Sequence, residues 1–321
     1  MTQPTFQDVL RAADRIKGHA NKTPLLRSDA LDALVGSEVH LKAECLQHVG
    51  AFKYRGARNR LAAMSEAERA RGVVAFSSGN HAQGVARAAK ELGMDAVIVM
   101  PSDAPDVKLA GVRRDGASIV SYDRSTEIRE EIAADIAARD GRTIVPSYDD
   151  PYIIAGQGTV GLEIARSGLA FDALVTCMGG GGLCAGISLA LAAESPQTDI
   201  FGAEPEHYND HQLSLRNGRR TRISDDAPSS ICDAIMTPMP GELTWPINAK
   251  SLTDVFEVSD ADCLLAMKLA KTHLGVTLEP GGAAAMAAVV TNRVPASYER
   301  IAVILSGGNV DPALLQKAME S

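Results

Sequence analysis

Apolar positions along the chain switch between helical and extended spacing. Over residues 5–19, Phe6, Val9, Leu10, Ala13 and Ile16 recur every three to four positions behind Thr5, a residue type that caps helices, so the chain opens with a helix. Thr23-Pro24 turns into an extended segment, residues 38–43 alternate as a short strand, and a helix is expected over 53–64. Short apolar runs at 73–76, 96–100 and 117–120 read as buried strands. Between them lie a helix carrying Val85, Ala88, Ala89 and Leu92 and another over 105–114. Such alternation is that of parallel α/β units. After Ser125, Ile128, Ile132 and Ile136 define an apolar helix face with Arg129 at its edge. Ala155-Gly156-Gln157-Gly158 reads as a turn within 151–159, where the chain leaves a compact unit of residues 72–148 for a larger one of residues 1–71 and 149–321. Strands at 173–178, 200–204 and 300–305, a helix over 183–194 and a polar loop over 217–230 complete the pattern, without repeats.

Composition narrows the function classes. At 321 residues, 45% hydrophobic and 22% charged, the chain buries a large core. Its net charge of -8 argues against a general nucleic-acid or membrane-surface role, and no apolar run is long enough to span a bilayer. A cytoplasmic location is the default expectation. Cys45, Cys177, Cys184, Cys232 and Cys263 are odd in number and lack zinc-type spacing, so free thiols in a reducing compartment are expected.

Chemistry concentrates in four short stretches. Gly50-Ala51-Phe52-Lys53-Tyr54-Arg55-Gly56 sets one lysine among apolar and glycine neighbours. Desolvation favours the neutral amine that condenses with carbonyl compounds, although a lysine beside Arg55 and Arg58 is also compatible with an exposed helix face. Ser77-Ser78-Gly79-Asn80-His81 lies at a strand-to-helix junction, where free N–H groups hold carboxylates; His81 is equally a capping or core histidine. Gly179-Gly180-Gly181-Gly182-Leu183 lies at a second such junction and lets backbone N–H groups approach a phosphate. The fourth stretch is Ser306-Gly307-Gly308-Asn309. A rival reading exists: Gly180, Gly182 and Ala185 fit a dinucleotide fingerprint, with Glu204 placed as a ribose-binding acid, but it leaves the other three stretches unexplained.

Together the four stretches, in this order, resemble the fold-type II pyridoxal-phosphate enzymes, specifically the serine/threonine dehydratase, serine racemase and hydroxyaspartate dehydratase group, over nearly the whole chain. The resemblance implies a tryptophan synthase β-like α/β fold of two domains with parallel-rich sheets, the cofactor in the cleft between them, and a homodimer. It implies that Lys53 holds the cofactor as a Schiff base and moves the Cα proton. Gly179, Gly180, Gly181, Gly182 and Leu183 would bind its phosphate, Asn80 its ring hydroxyl and Ser306 its pyridine nitrogen, with Phe52 and Gly308 framing the ring. A neutral serine there makes the ring a weaker electron sink, which suits β-elimination. Ser77, Ser78, Asn80 and His81 would hold the substrate carboxylate, and Ser78 stands where racemases of the group carry their second acid/base. Glu204, Asp210 and the carbonyl of Tyr208 match a divalent-cation loop suited to Mg²⁺ or Ca²⁺; an acidic solvated loop is the competing reading.

The expected reaction removes water and ammonia from L-serine, L-threonine or 3-hydroxyaspartate, giving a 2-oxo acid. Arg129 falls where serine racemase meets a second carboxylate. An exposed helix arginine beside Glu130 and Glu131 is as good a reading, and Arg124 competes for the role. Racemisation is the alternative activity. Cysteine-synthase-type β-replacement, a nicotinamide dehydrogenase and a non-catalytic binding protein stand behind it. Ala51 replaces the serine usual before Phe-Lys, and Cys232-Asp233-Ala234 stands where Ala-Asp-Gly is common, which leaves substrate identity open. The chain ends without the regulatory domain of biosynthetic threonine dehydratases, so isoleucine feedback is not expected.

Overall fold

The computed structural model describes residues 2–77, 79–104 and 106–320. Its strands are β1 (Leu25–Leu26), β2 (Glu38–Lys42), β3 (Val73–Phe76), β4 (Ala96–Pro101), β5 (Ser118–Tyr122), β6 (Thr143–Ile144), β7 (Ala173–Cys177), β8 (Asp199–Pro205), β9 (Leu252–Val258) and β10 (Arg300–Ile304). They form a six-stranded sheet of order β1-β2-β10-β7-β8-β9 and a four-stranded sheet of order β5-β4-β3-β6. Every pairing is parallel except β1 with β2. This is a mixed α/β architecture with parallel-rich sheets covered by helices.

The larger core surrounds β7, β8 and β10, whose residues are buried on both faces, as expected of parallel strands sandwiched by helices. The smaller sheet packs one face against the helix Asn80–Glu91 and the other against the helix Arg129–Asp140. The helix Lys53–Ala62 joins the two halves: Ala57 and Leu61 lie in the smaller sheet's core, together with Ile153. Thr5 caps the first helix, Phe6–Ile16, its N–H donating to the Asp8 carboxylate at 2.8 Å.

Two sequence expectations are corrected. Ala155-Gly156-Gln157-Gly158 does not turn; it lies inside a 15-residue helix, Pro151–Ala165, capped by Asp150. Its glycines serve close helix packing. A Cβ on Gly156 would sit 2.7 Å from the Gly56 Cα, and one on Gly158 would sit 2.7 Å from the Gly186 carbonyl. Ile128 does not share a buried face with Ile132 and Ile136. It precedes the helix and is 55% exposed, and the buried positions there are Ala133 and Ile136. Strand β9 and the helices Asp260–Leu274 and Pro280–Val290 were not anticipated.

Candidate active site

A cleft of about 210 Å³ opens beyond the carboxyl ends of β3, β7 and β10, where ligands bind in parallel α/β sheets. Lys53 is the first residue of its helix. The chain before it is tied to the end of β10: Ala51 bridges Gly307, and the Phe52 N–H donates to the Ser306 carbonyl at 3.1 Å. Behind it, Arg55 is buried and clamps Glu44 through two 2.8 Å bonds and Glu163 through two of 2.7 and 3.1 Å, which fixes the helix start. Lys53 Nζ donates to the Ser147 carbonyl at 2.7 Å and lies 5.2 Å from the Phe52 ring centroid. Burial pulls its pKa down to about 8, opposed by Cys177 and Glu279. The amine is therefore half neutral near pH 8, the form that attacks a carbonyl carbon.

Opposite stands the glycine loop at the start of the helix Gly182–Glu194. Gly181 is left-handed at φ +86°, which favours glycine. Two of the loop's carbonyls are tied to side chains that do not line the cleft. That of Gly180 accepts from Thr244 Oγ1 at 2.6 Å, and that of Gly181 accepts from Asn248 Nδ2 at 3.1 Å. A Cβ on Gly180 would enter the Tyr148 ring, so only glycine leaves room for that aromatic wall. A glycine cradle with two of its carbonyls tied back, at a helix N-terminus, offers its N–H groups to an anion.

The remaining predicted residues converge on the same cleft, which Ser77, Asn80, His81, Leu183, Phe52 and Ser306 all line. Ser306 Oγ is buried and accepts from Cys177 Sγ at 3.2 Å; burial lifts that thiol to about 11, so it stays protonated. Asn80 Nδ2 donates to Glu279 Oε1 at 2.5 Å. Burial pushes Glu279 up to about 7, with the Asn80 bond opposing. His81 Nε2 donates to the Val145 carbonyl at 2.9 Å, and burial next to Lys53 drives its pKa down to about 3, so it is a neutral imidazole. Its Nδ1 is buried without a partner, an acceptor left over in the cleft wall. Ser78 lies outside the described residues. Gly308 packs against the Thr277 carbonyl, away from the cleft lining described.

At the cleft rim, Arg129 stacks its guanidinium 5.5 Å from the Phe76 ring centroid, paired with Glu130 at 2.9 Å. Arg124 is turned outward to Asp103. Lys108 spans the mouth to Asp233 at 2.7 Å. Lys108, Tyr148 and Glu279 were missed at the sequence level, and Asp233 was noted there only within the Cys232-Asp233-Ala234 departure. Of these only Glu279 carried a signal, as the polar residue ahead of the Pro280 helix.

A second cluster is fully buried. Glu204 accepts from the His211 N–H at 2.9 Å, the Gln212 N–H at 3.2 Å and His211 Nδ1 at 3.1 Å. It is thus committed internally and not presented to a ribose, which removes the dinucleotide reading of this acid. Neither Asp210 oxygen finds a hydrogen-bond donor, although His211 Nδ1 lies 3.4 Å from one. Glu204, Asp210 and His211 offer ligand atoms within 4.8 Å of one another. The histidine was not anticipated.

Known proteins give the same picture. Residues 16–307 match the family model described as pyridoxal-phosphate dependent enzyme. The chain is 44% identical to an L-threo-3-hydroxyaspartate ammonia-lyase of a Pseudomonas species, covering 97% of each. It is 42% identical to a serine racemase of Schizosaccharomyces pombe, over 96% of this chain and 95% of that one. The structure of maize serine racemase superposes with a TM-score of 0.93 at 35% identity, covering 99% of this chain and 98% of that chain.

Proposed function

The chain belongs to the pyridoxal-phosphate dependent enzymes, and we propose that it is an ammonia-lyase (dehydratase) acting on a β-hydroxy amino acid, with 3-hydroxyaspartate as its preferred substrate. One observation carries the reading: a single cleft joins a Lys53 amine half neutral near pH 8, a glycine loop with two of its carbonyls tied back, the Asn80 amide and the Ser306 hydroxyl. These groups fit the cofactor's aldehyde, phosphate, ring hydroxyl and ring nitrogen in turn. Bound there, pyridoxal phosphate supplies an electron sink for bonds to the amino acid's Cα.

The chain's own groups supply the rest. The backbone N–H groups of residues 179–183 anchor the phosphate end. Ser306, a neutral hydroxyl, leaves the pyridine nitrogen unprotonated, which tempers the sink and favours loss of a β-substituent. Ser77, Ser78 and the backbone N–H of His81 hold the α-carboxylate at the start of the Asn80–Glu91 helix, the free ring nitrogen of His81 being an acceptor. Lys53 Nζ would take the Cα proton and, as the ammonium, give it to the departing β-hydroxyl, so that the Cβ–O bond breaks with loss of water; the enamine product then takes up water and yields a 2-oxo acid and ammonia. Arg129 receives the second carboxylate of a dicarboxylic substrate, exchanging its bond to exposed Glu130 for it.

Glu204, Asp210 and the Tyr208 carbonyl would hold Mg²⁺ or Ca²⁺, a reading supported by the donor-less Asp210 oxygens. The division at residues 72 and 148, a homodimer and a cytoplasmic setting belong to the same reading; for the last, all five cysteines are free and buried. Among the described residues no helix is long and apolar enough to cross a membrane. Racemisation is the second reading, supported by likeness to serine racemases and dependent on Ser78. The test is ammonia release by the cofactor-loaded protein from L-serine, L-threonine and the 3-hydroxyaspartate stereoisomers, with D-product scored in parallel. Preference for a hydroxyaspartate that Arg129→Ala removes supports the proposal. Full activity in Lys53→Ala, or equal use of serine in both proteins, refutes it.

A further inference from the structure

Asn309 closes the Ser306-Gly307-Gly308-Asn309 stretch, and the mechanism above leaves it without a role. Its amide makes two bonds of one sense: Nδ2 donates to the Val49 carbonyl and to Asn80 Oδ1, each at 2.7 Å. Because a backbone carbonyl only accepts, the Val49 contact fixes which end of the Asn309 amide faces it. Asn309 then presents a donor to Asn80, which must answer with its oxygen. Asn80 Nδ2 is thereby turned the other way, where one hydrogen goes to Glu279 Oε1 at 2.5 Å and the second is left over. Donation thus runs outward from Asn309, on one side to a carbonyl that cannot reverse and on the other through Asn80 to a carboxylate.

The backbone is adapted to this arrangement at both ends. Val49 is left-handed at φ 58°, ψ 14°, a conformation rare and strained for a β-branched residue, and Gly50 follows at φ +71°. A Cβ on Gly50 would lie 2.8 Å from Asn309 Oδ1, and one on Gly307 would collide with Glu279 Oε1. The Gly308 N–H donates to the Gly50 carbonyl at 2.9 Å, stitching the two loops.

We propose that Asn309 and Glu279 are positioning residues that set the direction of the Asn80 amide, so that its spare Nδ2–H faces the ring hydroxyl of the bound cofactor. The inference rests on the cofactor reading above. A fixed donor at that oxygen favours its ionised form. The ionised and protonated forms of the bound ring differ in colour, the first absorbing in the visible and the second in the near ultraviolet.

The experiment titrates pyridoxal phosphate into wild type, Asn309→Ala, Asn309→Asp, Glu279→Gln and Glu279→Leu, recording affinity and the ratio of the two bands, with apo-protein melting as the folding control. Losing an orienting bond of ordinary strength should weaken cofactor affinity about five- to tenfold in Asn309→Ala and shift the ratio towards the near ultraviolet. Asn309→Asp should be worse, since its carboxylate donates to neither Val49 nor Asn80. Glu279→Gln keeps an acceptor and should shift the ratio less than Glu279→Leu. If Asn309→Ala does not fold, the two Glu279 variants decide. Wild-type affinity and band ratio in both Asn309 variants, or equal shifts in Glu279→Gln and Glu279→Leu, overturn the inference. A wild-type protein that develops no visible band overturns the cofactor reading instead.

Discussion

The depressed pKa of Lys53 makes the capture of cofactor by apo protein pH-dependent in a way that separates it from ordinary lysine chemistry. Only the neutral amine attacks an aldehyde, and burial at the cleft wall brings half-neutralisation to about pH 8. With that midpoint the neutral fraction is about 9% at pH 7, about half at pH 8 and about 90% at pH 9. Capture should therefore speed up roughly tenfold from pH 7 to 9 and level off above, whereas an unshifted lysine would gain roughly a hundredfold and keep rising. Stopped-flow absorbance after mixing apo protein with pyridoxal phosphate measures this. Dividing by the rate of a model primary amine, itself first corrected at each pH for that amine's neutral fraction, removes the cofactor's own ionisations and leaves the titration of Lys53. Glu279→Gln takes away an anion that supports the ammonium form, so its midpoint should fall below that of the wild type. A uniform tenfold rise per pH unit through pH 9.5 would mean that Lys53 is solvated and that burial does not activate it.

Three further outcomes are expected. Gly180→Ala drives a methyl into the Tyr148 ring and should lower cofactor affinity at least tenfold, read by fluorescence titration, and destabilise the apo protein by about 1–3 kcal/mol as the ring is displaced. Glu44→Ala strips Arg55 of a bidentate partner in a fully buried site; it should cost roughly 3 kcal/mol in urea unfolding, because Glu163 alone is left to balance the guanidinium. If Glu204 and Asp210 hold a divalent cation, chelation should lower the melting temperature and Mg²⁺ or Ca²⁺ restore it, and Asp210→Asn should abolish the response; a chelator-insensitive melt in the wild type counts against the site.

The parts of the site legible in the sequence are those whose chemistry is local. A lysine flanked by glycines and aromatics, a glycine run between a strand and a helix, and a Ser-Gly-Asn-His turn each constrain their own backbone, so their residue types announce them. β2–β5, β7, β8 and β10 were legible because short apolar runs bounded by turn residues have few other uses, whereas the two-residue β6 and the mostly half-exposed β9 offer no such run. Tyr148, Lys108 and Glu279 reach the cleft only through tertiary packing. Tyr148 matters because Gly180 lacks a side chain, a relation between positions 32 apart that no local pattern encodes. The glycines of the Pro151–Ala165 helix were misread because a glycine that admits a neighbouring helix and one that permits a turn look alike in one dimension. The helix Pro280–Val290 escaped because it is buried on all sides and so has no amphipathic period.

That last helix also shows how the invisible parts govern the visible ones. Glu279 stands immediately before it, and its carboxylate is buried because the apolar helix behind excludes water. Burial lifts its pKa to about 7, so near neutrality its charge is available to Asn80 and Lys53 only in part. Acidification through that range removes an anion that supports the Lys53 ammonium, while the Lys53 amine is itself gaining protons. The two groups thus oppose each other across one pH unit, and the state of the cleft depends on a residue that no motif named.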